Sequence, residues 1–180
     1  ELKVTVLEQT KDVSYSACNM PYNIADPERS MDDLVVRPAD VCRSKLGIDL
    51  RTRYQVQSID PVHRTVSGVF KESDPFELSY HRLLIATGAE PVIPDLPGFD
   101  LPGVMALKSL GHGRAMKSYL QTRPVKRTAI LGMGYIALEM CEALHARGIA
   151  VEMVKPRPDL LPWMDRALAV TVQETLESRR

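Results

Sequence analysis

Residues 127–155 read RTAILGMGYIALEMCEALHARGIAVEMVK. The stretch opens on TAIL, short and apolar, which is a strand signal. Gly132 and Gly134 follow at once. IALEMCEALHA then carries helix-forming residues at helical spacing. Gly148 stops that run, and IAVEMV starts a second strand. Strand, glycine turn, helix, glycine and strand within about 30 residues make a βαβ unit. The fold class expected for the chain is therefore α/β.

Upstream of this unit, LKVTVLE (residues 2–8) alternates apolar and polar residues and reads as a strand. Residues 23–36 are mixed and polar, and a surface segment is expected there. RPADVCRSKL (37–46) has helical spacing, with Pro38 suited to a first turn. IDLRTRYQVQSIDPVHRTVSGVF reads as strand, turn, strand, with Asp60-Pro61 at the turn. FELSYHRLLIATGAE ends in an apolar strand, LLIATG. PVIPDLPGFDLPG (91–103) is dense in proline and glycine and reads as a connector. A helix is expected over 109–121 despite Gly111 and Gly113. WMDRALAVTVQETLESRR closes the chain as a helix with Asp165 in its first turn, and Trp163 reads as a packing residue at its start. The domain boundary falls after the connector, giving 1–107 and 108–180.

The composition narrows the function. Lys plus Arg and Asp plus Glu both number 23 in 180 residues, so no basic face is expected for nucleic acid or an anionic membrane. No apolar run approaches the ~20 residues of a membrane span. No signal peptide is expected, since Glu1 leads straight into a strand pattern. Cys18, Cys42 and Cys141 are odd in number, and their spacing fits neither a disulfide framework nor a zinc site. A reducing cytoplasm is the expected compartment. His63, His81, His112 and His145 show no metal spacing and read as surface or loop residues; no metal is expected.

Gly132-Met133-Gly134-Tyr135-Ile136-Ala137 is a GxGxxA form of the dinucleotide fingerprint. Gly132 allows a tight turn, Gly134 a close approach of a pyrophosphate, and Ala137 close packing of helix on strand. Phosphates would sit on the helix N-terminus, where free N–H groups and the helix dipole favour anions. The plainer reading is a glycine-rich turn that binds nothing. An acid at the end of the next strand suits NAD, and a base suits the 2′-phosphate of NADP. Lys155 ends that strand and Arg157 follows, which favours NADPH, although Glu152 lies in the same strand.

SYSACNMPYN (14–23) holds a lone thiol. A helix beginning after Tyr15, capped by Ser14 or Ser16, would put Cys18 in its first turn, where the dipole favours thiolate. Pro21 is tolerated there. Cys42 and Cys141 read as small buried hydrophobes.

Glu8 at the end of LKVTVLE, Cys18, Ala86-Thr87-Gly88 in LLIATG, and the GMGYIALE turn follow one another in an order that resembles the FAD-dependent pyridine nucleotide-disulfide oxidoreductases. The likeness is to their single-cysteine branch: coenzyme A-disulfide reductases, NADH oxidases and peroxidases, and persulfide reductases. It implies two incomplete Rossmann-like units, FAD-binding over 1–107 and NAD(P)-binding over 108–180. It implies that Glu8 holds the adenosine ribose of FAD, that the backbone at Val56 meets the adenine, and that Thr87 and Gly88 lie near the flavin. Gly132, Gly134 and Ile136 belong to the nucleotide turn; Tyr135 becomes a gate over the nicotinamide pocket and Glu139 an acid facing it.

The two-cysteine members of the family carry CxxxxC, and here Asn23 stands five residues after Cys18. The resemblance therefore makes Cys18 the redox nucleophile, cycling through a mixed disulfide or a sulfenic acid. Ser14 and Arg51 match positions that would contact coenzyme A, while Ala17 and Asn19 depart from the pattern of the coenzyme A reductases, which have asparagine and commonly glycine there. The family also implies a preceding GxGxxG turn and further domains after Arg180. The chain is thus expected to be an internal fragment, inactive alone, of a homodimeric parent passing electrons to a small disulfide, persulfide or oxygen species, with a small thiol or disulfide, coenzyme A-derived or not, as its partner. The rival expectation is a non-catalytic nucleotide-binding or structural fragment without flavin.

Overall fold

The computed structural model describes residues 3–155, 161 and 163–178. In chain order its elements are β1 (Thr5–Glu8), α1 (Met20–Ala25), α2 (Ala39–Leu46), β2 (Asp49–Thr52), β3 (Tyr54–Asp60), β4 (Thr65–Phe70), β5 (Asp74–Ser79), α3 (Leu110–Thr122), β6 (Arg127–Leu131), α4 (Tyr135–Ala146), β7 (Ala150–Val154) and α5 (Arg166–Ser178). The chain forms two compact units. One comprises Glu1–Ala17 with Ser30–His112, and the other Cys18–Arg29 with Gly113–Arg180. The division thus falls inside α3, and the twelve residues after Ala17 cluster with the C-terminal unit.

In the first unit β1 and β2 pair in parallel, Thr5 opposite Asp49 and Glu8 opposite Thr52. The connection between parallel strands needs a crossover, and α2 lies within it. Pro38 is the N-cap residue of α2, Asp40 lies in its first turn, and Arg43 and Lys45 lie in its last turn, charges that complement the dipole. Gly47, at φ +63, ends it in the left-handed conformation that costs glycine least. Arg43 Nε donates to the Leu50 carbonyl at 2.8 Å, tying α2 to β2.

β3, β4 and β5 form an antiparallel sheet. The Asp60-Pro61 turn is as expected: Asp60 Oδ1 accepts from the backbone N–H of Val62 and His63, both at 2.8 Å. Tyr54 meets Phe70 and Phe76, with ring centroids 4.7 and 5.0 Å apart. The β3–β4 register shifts between Val56 and Ser58. Opposite Val56 stands Gly68, where a Cβ would lie 1.9 Å from the Gln55 carbonyl oxygen. Only glycine lets the two backbones approach so closely.

Two expectations need correcting, the second for a segment divided between the two units. LLIATG is in no strand: residues 83–88 join no ladder among the described residues, and Leu84 is 86% exposed. Apolar β-formers set a strand only where a neighbouring strand takes up their backbone hydrogen bonds. Residues 23–36 are only in part a surface segment: Pro27–Ser30, Asp32, Asp33 and Val36 are exposed, but Asn23, Ile24, Met31 and Leu34 are buried. A short 3₁₀ turn, Met31–Leu34, is set by a reciprocal cap: Ser30 Oγ accepts from Asp32 N–H, and Asp33 Oδ2 accepts from Ser30 N–H, both at 3.2 Å.

The second unit contains the βαβ unit. β6 and β7 are parallel, with Leu131 opposite Val154. α4 buries Met140, Ala143 and Leu144, spaced as one helical face. α1 packs on α4 and buries Met20 and Ile24, four residues apart on one face. Asp165 lies just before α5 and not in its first turn; its Oδ1 accepts from Ala167 N–H at 2.9 Å, an N-cap.

Candidate functional site

The glycine turn is built for close approach. Gly132 has φ +119, a conformation side chains resist, and its N–H donates to the Val154 carbonyl at 2.7 Å. A Cβ at Gly132 or Gly134 would meet no atom within 4 Å, so open space lies before the turn. Gly134 is the N-cap residue of α4, and Leu138 N–H is bonded to its carbonyl. The first amides of the helix have no partner within the helix and are donors for an anion. Ile136 and Tyr135 stand exposed there. Tyr135 stacks against Trp163, centroids 4.7 Å apart, which is the contact that Trp163 makes at the start of the last helix. Glu139 is half-buried one turn further along α4.

Lys155 follows β7 directly, one residue beyond the strand position bonded to Gly132. Its Nζ is buried, with no hydrogen-bond partner among the described residues. A buried ammonium in that state is costly unless an acceptor reaches it. Open space before Gly132 and Gly134, together with this cation, fits a dinucleotide. Arg157 lies outside the described residues.

Cys18 is exposed and free, while Cys42 and Cys141 are half-buried. It lies in a 3₁₀ turn, Ala17–Asn19, ahead of α1, whose N-cap residue is Asn19. The helix thus starts two residues after the cysteine, and neither Ser14 nor Ser16 caps it. The Ser14 carbonyl accepts from Val36 and Arg37 N–H at 2.8 and 3.2 Å. The helix is displaced because Pro21, which lacks an N–H, is placed without loss only at its first turn. Burial, and then the Glu142 charge, push the Cys141 thiol up from its ordinary value, as expected of an inert interior thiol.

The remaining candidates belong to the first unit. Glu8 Oε1 accepts from Thr10 N–H at 2.7 Å and Thr10 Oγ1 at 2.8 Å, which fixes the carboxylate at the end of β1. Val56 lies in β3 beside the register shift. Thr87 and Gly88 are exposed, Gly88 at φ +72. Arg51 donates from Nη2 to Asp49 Oδ2 at 2.9 Å and lies 5.9 Å from the Tyr54 ring centroid. Its guanidinium holds the Asp49 carboxyl below the usual carboxylate range. Among the described residues no cluster of His, Cys, Asp or Glu is placed to hold a metal ion. His112 differs from the surface reading: it lies in α3 with Nδ1 buried and without a hydrogen-bond partner among the described residues. No described helix is long and apolar enough to cross a membrane.

The family model of the pyridine nucleotide-disulphide oxidoreductases matches residues 1–180. The chain belongs to this family. An NADH oxidase of Methanocaldococcus jannaschii is 34% identical over 178 residues, 98% of this chain and 40% of the relative. A coenzyme A disulfide reductase of Staphylococcus haemolyticus is 28% identical over the same share of each chain. The solved structure of a NAD-dependent persulfide reductase from A. fulgidus superposes with TM-score 0.90 at 29% identity, covering 98% of this chain and 34% of that one. The fold is thus the Rossmann-type α/β fold of FAD- and NAD(P)-dependent oxidoreductases. The chain spans about two fifths of the length of the curated relatives it matches.

Proposed function

We propose that this chain is part of a flavin-dependent oxidoreductase that passes electrons from NAD(P)H to Cys18, and from Cys18 to a small disulfide or persulfide. The observation that carries the reading is the setting of Cys18: of three free cysteines it is the exposed one, in a turn leading into a helix packed on α4. α4 is the helix that rises from the dinucleotide turn. A relative named NADH oxidase supports the nicotinamide donor, and one named coenzyme A disulfide reductase supports the acceptor.

Glu8, the backbone at Val56 and the Thr87-Gly88 turn would hold FAD. Gly132, Gly134, Tyr135, Ile136 and Glu139 would hold the nicotinamide nucleotide. Bound FAD supplies the two-electron relay between hydride donor and sulfur. The chemistry of the chain itself lies at Cys18. Its thiolate attacks one sulfur of the disulfide, the S–S bond breaks, and one thiolate leaves and takes a proton. The mixed disulfide left on Cys18 is cleaved by two electrons, which releases the second thiol and restores the thiolate. The sum is one NAD(P)H, one proton and one disulfide giving NAD(P)⁺ and two thiols. With Asn23 five residues on, no second cysteine within α1 competes for the mixed disulfide.

Lys155 supports NADPH as the donor, since a 2′-phosphate would supply the acceptor that its buried ammonium lacks. Coenzyme A disulfide is the acceptor to try first, with Ser14 and Arg51 as its candidate contacts.

The test is turnover of NADPH with coenzyme A disulfide by the flavin-loaded, full-length protein carrying Cys18→Ser. The proposal predicts a loss on the order of 10³-fold, as for removal of a nucleophile, with flavin reduction by NADPH retained. Turnover within about tenfold of the unaltered protein would overturn it.

A further inference from the structure

Helix α1 has six residues, Met20–Ala25, with a proline in its first turn. That is far below the ~12–15 residues at which a helix holds together alone in water. The carbonyls of its last turn have no partner within the helix. Side chains from two other helices of the same compact unit take them up. Lys117 of α3 donates from Nζ to the Asn23 carbonyl at 2.8 Å and to Asn23 Oδ1 at 3.0 Å. The same Nζ donates to the carbonyls of Asp26 at 2.6 Å and Arg29 at 2.5 Å, in the turn that follows. Arg147, the C-cap residue of α4, donates from Nη1 to the Ile24 carbonyl at 2.9 Å. Gln121 of α3 donates from Nε2 to the Pro27 carbonyl at 3.3 Å. The clamp is built into the interior: Lys117 is 5% exposed and Asn23 is 0% exposed. Charge-assisted bonds of this kind are stronger than neutral ones.

Cys18 lies at the other end of this clamped segment. Just before it, the backbone is held as well. Ser16 N–H donates to the Leu34 carbonyl at 2.9 Å, and the Ser14 carbonyl accepts from Val36 and Arg37. On its C-terminal side the exposed thiol leads directly into this clamped helix.

We infer that Lys117, with Arg147 in support, is a positioning residue for Cys18: its ammonium pins the C-terminal carbonyls of α1 and thereby fixes the turn that presents the thiol. The inference rests on the proposed role of Cys18 for its bearing on turnover, but the positioning itself is read without any redox step. Lys117 touches no reacting atom.

The experiment is alkylation of the flavin-loaded, full-length protein by iodoacetamide under native conditions, with the rate at each cysteine read by peptide mapping. The urea-unfolded chain gives the reference rate for an unheld Cys18. Lys117→Met keeps the stem and removes the ammonium. It should move the Cys18 rate by at least about threefold toward the unfolded reference, while Cys42 and Cys141 stay within about twofold of their native rates. Arg147→Met should move Cys18 in the same direction by less. An unchanged Cys18 rate overturns the inference, and so do three cysteines shifting together, which is the mark of general loosening. If Lys117→Met leaves no folded chain, Arg147→Met decides by the same criteria. Failure of the redox reading has a different signature: turnover survives Cys18→Ser while the alkylation result stands.

Discussion

At the scale of single residues, Lys155 is the side chain whose surroundings most call for a ligand. Its ammonium is buried, with no partner among the described residues, one residue beyond the strand that is bonded to Gly132. Lys155→Glu places an acid where NAD-specific fingerprints carry one. The expected outcome, read by titrating the 180-residue chain with each nucleotide, is NADPH affinity lower by at least about tenfold, with NADH binding held or improved. Equal losses for both nucleotides would remove the 2′-phosphate from the account. Lys155 was legible because the fingerprint fixes where the decisive residue falls. The Asp49–Arg51 pair was half-legible, since strand alternation puts residues two apart on one face. Lys117 gave no signal at all: its partners lie 88 to 94 positions away in the chain, and nothing local marks a lysine as buried.

At the scale of elements, patterns that close on themselves were readable and those that depend on a distant neighbour were not. The βαβ unit, α2 and α3 each carry their own periodicity and their own stops, and each lies where the sequence puts it. LLIATG has the composition of a strand but none of the described strands takes up its backbone. The turn after Ser30 was missed because its polar composition hides two buried side chains, Met31 and Leu34, whereas α1 was legible as a helix but starts later than its serines suggest. The β3–β4 hairpin offers a sharp test of what the sequence does specify. Gly68→Ala would drive a Cβ against the Gln55 carbonyl oxygen and force the two strands apart, at a cost of about 3 kcal/mol in urea unfolding. Gly134→Ala, with nothing within 4 Å, is the control and should unfold like the parent chain. A Gly68→Ala chain within about 0.5 kcal/mol of the parent would show that the bulged register is not enforced by this glycine.

At the scale of the whole molecule, the family was legible from the order of four short motifs rather than from any one of them. Glu8 at a strand end, a lone cysteine, Thr87-Gly88 and the glycine turn each have an ordinary structural explanation, and it is their succession along one chain that is specific. The division into compact units was less legible. The cysteine-bearing segment, Cys18–Arg29, sits early in the sequence but clusters with the unit that carries the nucleotide turn, because the residues that hold it are supplied by α3 and α4. The central claim is that Cys18 alone carries the electrons onward. Its most direct test is to treat the flavin-loaded, full-length protein with excess coenzyme A disulfide without nucleotide, map the adduct by mass spectrometry, and then add NADPH. The account predicts one coenzyme A per chain, on Cys18, discharged by about one equivalent of NADPH. An adduct on Cys42 or Cys141, or one on Cys18 that persists after NADPH is added, would contradict it.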